Sequence, residues 1–221
     1  MTKLHLSLTL PLLLALAWLP GAALAQSTPQ AGRDYVEIPG GQAWAARPGR
    51  IEVAELFGYT CPHCAHFEPL LAQWKQRQGK DVDLALVPAV YGGAWDVWAR
   101  AFFAASDLGL LPRSHEAVFA AIHRDGRLPR NPSAQELGTF FSSYGVDGDR
   151  FRAAMADPKV DARMDRAREF AIASGAEGTP TLVVNGRYRV TAASLEDALR
   201  ITDWLVARER GRAGGGAKAA P

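Results

Sequence analysis

The run Ile51-Glu52-Val53-Ala54-Glu55-Leu56-Phe57-Gly58-Tyr59-Thr60-Cys61-Pro62-His63-Cys64-Ala65-His66-Phe67 decides the architecture of this chain. Ile51 to Phe57 carries apolar side chains at both parities, the pattern of a strand buried on both faces near the centre of a sheet. Gly58 interrupts it, and Pro62 stands where a helix accepts proline, in the first turn. The helix predicted from there runs to about Arg77. On it Cys64, Phe67, Leu71 and Trp74 step by three, four and three residues and share one buried face. His63, His66, Gln73 and Arg77 lie along the polar side. Cys61 sits at the helix mouth, where unpaired N–H groups and the positive end of the helix dipole favour a thiolate. A protonated His63 would add to that effect. This geometry makes Cys61 the exposed nucleophile and Cys64 the buried resolving thiol.

A Cys-x-x-Cys pair has three common explanations. A structural zinc site needs four ligands, and the whole chain holds only two cysteines, with His63 and His66 as the nearest helpers. Covalent haem attachment needs histidine directly after the second cysteine, where Ala65 stands. A redox-active dithiol is left, and its place after a buried strand and at the opening of a helix suits it. No metal and no separate cofactor is expected.

Outward from this run, Val82–Ala89 reads as a second buried strand. From Trp95 to about Ser174 the signal is helical, with apolar stripes through Trp98, Phe102 and Ala105, through Val118 and Ile122, and through Leu137, Phe140, Phe141 and Tyr144. Pro112, Pro129, Pro132 and Pro158 mark starts or joints of these helices. Strand character returns at Thr181-Leu182-Val183-Val184, Asn185-Gly186 is a hairpin turn, and Tyr188-Arg189-Val190 is the return strand. Ser194 is a candidate cap for a last helix carrying Leu195, Leu199, Trp204 and Leu205 inward. An earlier short strand is expected at Tyr35–Ile38. A βαβ unit interrupted by helices and closed by a ββα unit is an α/β (α+β) domain with an inserted helical subdomain.

The chain ends differ from its middle. Met1-Thr2-Lys3 precedes an apolar run from Leu4 to Leu19, Pro20-Gly21 breaks it, and Ala23-Leu24-Ala25 is a small-x-small cleavage pattern. The run of about 16 residues is short of the roughly 20 needed to cross a bilayer, so it reads as a signal peptide cleaved after Ala25. The mature chain would then begin at Gln26 and work outside the cytoplasm, where thiols can stay oxidised. Lys and Arg number 25 against 23 Asp and Glu, a net of +2 that argues against nucleic acid as a partner. The excess sits in a basic tail holding Arg208, Arg210, Arg212 and Lys218. The expected organisation is a signal peptide over 1–25, a lead with a short strand over 26–49, a first sheet part over 50–92, the helical insertion over 93–174, a second sheet part over 175–207, and a disordered tail over 208–221.

These features together resemble a known family. Strand-Cys-x-x-Cys-helix with a distant Gly178-Thr179-Pro180-Thr181 before a hairpin is similar to the thioredoxin superfamily. The Pro62-His63 dipeptide, the leader and the helical insertion resemble the periplasmic DsbA thiol-disulfide oxidases, over most of residues 50–207. The resemblance implies a thioredoxin-like fold, with Thr179-Pro180 as a cis peptide facing the dithiol and binding extended substrate. It also implies that Glu55 is the buried acid that exchanges a proton with the resolving thiol. The lysine that often accompanies this acid in the family has no counterpart in Asp83-Leu84-Ala85-Leu86-Val87, and Pro69 inside the helix is a further departure that should kink it. The implied partners are newly exported polypeptides with free thiols and an inner-membrane DsbB-type quinone reductase, with the protein itself a monomer.

Two other readings compete. One is a reductant or isomerase on the same fold, although the stretch before the first long strand is short for the dimerisation domain that isomerases usually carry. The other is a non-catalytic holdase in which the disulfide is a clip, a poor staple across so short a loop. Phe57, Tyr59, Trp95 and Trp98 are candidates for an apolar client surface, and of these Tyr59, beside the cysteines, is the one expected at the surface rather than in the core.

Overall fold

Strand Ile51–Phe57 is buried along its whole length and organises the fold; in chain order it is β2, after the short β1, Tyr35–Glu37. The computed structural model describes residues 27–216. The leader with its Ala23-Leu24-Ala25 site and the end of the basic tail, 217–221, lie outside the described residues. β2 pairs in parallel with β3, Val82–Pro88, and antiparallel with β4, Thr181–Val184. β4 continues through a hairpin to β5, Tyr188–Val190, whose far side carries β1, so the sheet order is β1-β5-β4-β2-β3. The hairpin turn is Asn185-Gly186, both with positive φ, and Arg187 N–H returns to Val184 O at 2.9 Å. Gly186 is required for a second reason: a Cβ there would come within 2.1 Å of the Gln42 backbone.

Between β2 and β3 lies α1, Pro62–Arg77, whose buried residues are Cys64, Phe67, Leu71 and Trp74. It runs on through Pro69 without ending there. Trp74 is fully buried and ties the helix down through Nε1–H to Asp203 Oδ1 at 2.7 Å. Five helices fill the stretch between β3 and β4: α2, Ala94–Asp107; α3, Leu111–His123; α4, Ala134–Ser142; α5, Gly148–Met155; and α6, Pro158–Ser174. Pro112 and Pro158 open α3 and α6, whereas Pro129 and Pro132 lie in the α3–α4 connection.

The parity of β2 divides the core. Ala54 and Leu56 face the helical insertion together with Phe102, Phe119 and Phe141, while Ile51 and Val53 face α1 and the last helix, α7, with Trp74, Ile201 and Leu205. Ser194 Oγ accepts from Asp197 N–H at 3.1 Å and caps α7, Leu195–Gly216.

The sequence reading needs one correction at this end. Residues 208–212, expected as the start of a disordered tail, continue α7. Aromatic and acidic partners elsewhere in the fold hold them there. The Arg208 guanidinium lies 5.0 Å from the Tyr188 ring and bonds to Tyr35 Oη at 2.6 Å, and Arg210 pairs with Asp81 at 2.6 Å. Glu209 is buried, with Asn185 Nδ2 donating to it at 2.7 Å. The positive charge of the tail therefore docks the helix end against β5 and the start of β3. Among the described residues, no helix is long and apolar enough to cross a membrane.

Candidate active site

The two sulfurs are free thiols, placed differently by the first turn of α1. Cys61 is the N-cap, in extended conformation, with Pro62 following at the first helical position. Its Sγ accepts from Cys64 N–H at 3.4 Å, and its thiol lies 3.3 Å from Thr179 O, to which it can donate. Cys64 is completely enclosed, whereas Cys61 retains 7% exposure. The expected exposed nucleophile is thus a mostly covered residue, with the Thr179 carbonyl against its sulfur.

Their acidities diverge accordingly. Hydrogen bonding from the Cys64 thiol, with further help from Thr179 and from the backbone N–H groups of Cys64 and His63, outweighs burial and lowers Cys61 to about 5. Burial drives Cys64 the other way, reinforced by its bond to Cys61 and the nearby Glu55. The His63 ring is exposed to solvent, so its residue contributes to the sulfur through its backbone N–H.

Thr179-Pro180 is a cis peptide directly before β4. With His63, Phe67, Thr191 and Leu195 these two residues line an open groove beside the dithiol. The structure therefore brings Cys61, Cys64, Pro62, His63, Thr179 and Pro180 to one place. Glu55 lies in β2, 4% exposed, with Leu86 and Leu182 as its neighbours on β3 and β4. Burial holds its carboxyl well above the usual range, and the negative charges of Glu68 and Cys61 add to the shift. Among the described residues no three His, Cys, Asp or Glu side chains converge as a metal site would require.

Tyr59 corrects an expectation: it is 2% exposed and belongs to the core, as Phe57 and Trp98 do. Its ring packs edge-on against Phe57, Trp98 and Phe119, and its Oη lies 2.8 Å from His115 Nδ1. Burial lowers His115 to about 4, so the ring is neutral at pH 7. Trp95 covers Gly58 so closely that a Cβ there would lie 2.0 Å from its ring, which is why glycine precedes Tyr59.

Sequence reasoning missed the residues that grip this turn from the insertion. His123 Nε2–H donates to Tyr59 O at 2.7 Å, and Arg130 Nη1–H donates to Thr60 O at 2.6 Å. The available signal was the spacing of His115, Phe119 and His123, four residues apart on one stripe of α3. Nothing local marks Arg130, since its partner lies 70 residues away.

The comparisons with known proteins agree with this geometry. Residues 52–201 match the DSBA-like thioredoxin domain. The chain is 40% identical over 182 residues to the thiol:disulfide interchange protein DsbA of Azotobacter vinelandii, covering 81% of this chain and 84% of that protein. It is 36% identical to the protein of the same name from Pseudomonas aeruginosa over 94% of this chain and 98% of that one. Among solved structures, the oxidoreductase DsbA from Xylella fastidiosa superposes with a TM-score of 0.82 at 53% identity, over 84% of this chain and all (100%) of that one. With the family model matching a stretch, 52–201, that contains the dithiol, the insertion and the proline loop, and with these relatives similar over most of the chain, the chain belongs to the DSBA-like thioredoxin family.

Proposed function

We propose that this protein is a thiol-disulfide oxidoreductase that donates its Cys61–Cys64 disulfide to newly exported polypeptides in the periplasm. The observation that carries this reading is the split between the sulfurs: Cys61 is lowered to about 5 at a helix mouth, while Cys64 is sealed and pushed upward. A client thiolate attacks Cys61 Sγ of the disulfide, the Sγ–Sγ bond breaks, and Cys64 leaves with the electron pair. Because burial disfavours a charged Cys64, that sulfur takes up a proton. Glu55, whose carboxyl burial holds well above the usual range, is the donor, and it recovers the proton from solvent. The client's second thiolate then attacks the client sulfur of the mixed disulfide. Cys61 departs as a stabilised thiolate, the client has lost two electrons and the enzyme has gained them.

The groove beside Thr179 and Pro180 suits an extended client segment, which the Thr179 backbone would receive as an added strand. A DsbB-type quinone reductase in the inner membrane would remove the two electrons. Export rests on the leader and its Ala23-Leu24-Ala25 pattern.

Turnover of a dithiol peptide, with the reduction potential measured against glutathione, tests this reading. An oxidase oxidises the peptide catalytically and is more oxidising than about −180 mV. A couple near the roughly −270 mV of a thioredoxin would instead identify a reductant. Absence of turnover would identify the disulfide as a clip.

A further inference from the structure

We infer that Arg130 and His123 are positioning residues for the exchange: by holding the two peptide carbonyls before Cys61, the helical insertion sets how reactive that sulfur is. The argument rests on the proposed role of Cys61 as the attacked and departing sulfur. Arg130 lies in the α3–α4 connection and His123 at the end of α3, so neither belongs to the part of the fold that carries the dithiol. Neither side chain bonds to Sγ. Their hydrogen bonds run to Thr60 O at 2.6 Å and Tyr59 O at 2.7 Å.

These two carbonyls belong to the last peptide units before the helix. The Thr60–Cys61 unit contains Cys61 N, which itself donates to Gly58 O at 3.0 Å. Rotation of that unit changes the Cys61 φ, and with it the position of Sγ relative to the N–H groups of His63 and Cys64. Hydrogen bonds to an anion weaken steeply with poor alignment, so holding the unit preserves the stabilisation of a thiolate. A guanidinium held on the carbonyl of the residue before Cys61 also brings a positive charge to this end of the helix, which favours a thiolate.

The clasp is itself anchored. The Arg130 carbonyl accepts from Trp98 Nε1–H at 2.9 Å, and Trp98 is 2% exposed in α2. Tyr59 is locked between Trp98, Phe119 and His115. The turn from Gly58 to Cys61 is therefore held by α2, α3 and the connection after it. In this chain the insertion thereby fixes the geometry of the helix mouth.

The test uses the full mature chain in its reduced form. Ultraviolet thiolate absorbance is followed against pH, and the dithiol–disulfide balance is measured in glutathione buffers. The variants are Arg130→Met, Arg130→Lys and His123→Gln, with Arg124→Met as a charge control, since Arg124 pairs with Asp125 at 3.0 Å on the surface. Arg130→Met should raise the Cys61 titration by about half to one pH unit and move the glutathione equilibrium about three- to tenfold towards the disulfide form of the protein. Arg130→Lys keeps the charge and should shift less. His123→Gln retains a donor and should also shift less, whereas Arg124→Met should leave both readings in place. The titratable groups around Cys61, namely Cys64, Glu55 and the exposed His63, with Tyr91 near Cys64, are unchanged in every variant, so the difference isolates the clasp. Melting temperatures taken alongside separate stability from tuning. If Arg130→Met lowers only the melting temperature and titrates with the parent, the clasp is merely structural and the inference fails. Arg130→Lys supports the same decision should the methionine variant not fold. A parent without a low-lying thiolate would overturn the proposed function and the clasp together, while a parent with one that no substitution moves overturns the clasp alone.

Discussion

The reduced protein should be more stable than the oxidised one at pH 7, and the order should reverse in acid. Two contributions oppose each other. Closing the four-residue loop from Cys61 to Cys64 favours the oxidised fold by about 1.9 kcal/mol in the chain-entropy treatment. The Cys61 thiolate favours the reduced fold, because folding lowers the thiol to about 5 while an unfolded cysteine titrates near ~8.5. At pH 7 only the interval from about 5 to 7 counts, and at roughly 1.36 kcal/mol per unit it contributes about 2.7 kcal/mol. Cys61 is only 7% exposed, so solvent screening removes little of this. Cys64 adds almost nothing at pH 7, since its raised thiol is protonated in both states.

The reduced form thus leads by about 0.8 kcal/mol, or about 2–3 °C in melting temperature for a chain of this size. A depressed folded pKa gives stability that is complete above the unfolded value and fades as pH falls through the folded one. The two forms should accordingly melt together near pH ~6.4, and the oxidised form should lead by about 1.9 kcal/mol at pH 3.5. Thermal melts of both forms across this range read the crossing directly. If the reduced protein melts below the oxidised one at pH 7, or their difference ignores pH, Cys61 is not a stabilised thiolate and the reasoning from helix mouth to oxidase collapses.

Cys64→Ala should accumulate mixed disulfides with clients, and Cys61→Ala should trap almost none because Cys64 is sealed; non-reducing gels distinguish the two, and equal trapping would invert the assignment. Glu55→Leu, placed between Leu86 and Leu182, should stabilise the fold by about 1–2 kcal/mol at pH 7 while slowing exchange at Cys64, as chemical denaturation and stopped-flow kinetics would show. Because folding raises the Glu55 carboxyl, its cost appears only above the unfolded value near ~4.3, so the gain should shrink towards pH 4. Protein recovered from the native envelope should have the intact mass of a chain beginning at Gln26; a chain retaining Met1 would contradict export with cleavage.

Much of the site was legible because its signals are local. The three-four-three spacing from Cys64 to Trp74 specifies one helix face whatever surrounds it, and those four residues are the ones buried in α1. Asn185-Gly186 needs only its own backbone preferences to turn a hairpin. Tyr59 was misplaced by the same local reasoning. Proximity to the cysteines suggested a surface role, but an aromatic ring on a turn goes where the neighbouring elements leave a pocket. Phe57, Trp98, Phe119 and His115 converge from β2, α2 and α3 to form that pocket. The tail failed in the opposite direction. Its composition resembles that of a solvated end, yet Tyr35, Tyr188 and Asp81 are arranged to receive its arginines.

By itself, then, the amino-acid sequence determined the order of the strands and helices up to the last helix's end, the place of the cysteine pair at a helix mouth and which sulfur lies on the buried helix face, since each of these follows from periodicity and backbone propensity over a few residues. The tertiary structure decided how far the sulfurs differ and what holds them. Thr179 O reaches Cys61 across 118 positions of chain, Arg130 reaches Thr60 across 70, and Glu55 is enclosed only when β3 and β4 flank it. Hydrogen bonds and desolvation act over a few ångströms in space, and no local pattern records which distant residues the fold will bring within that range.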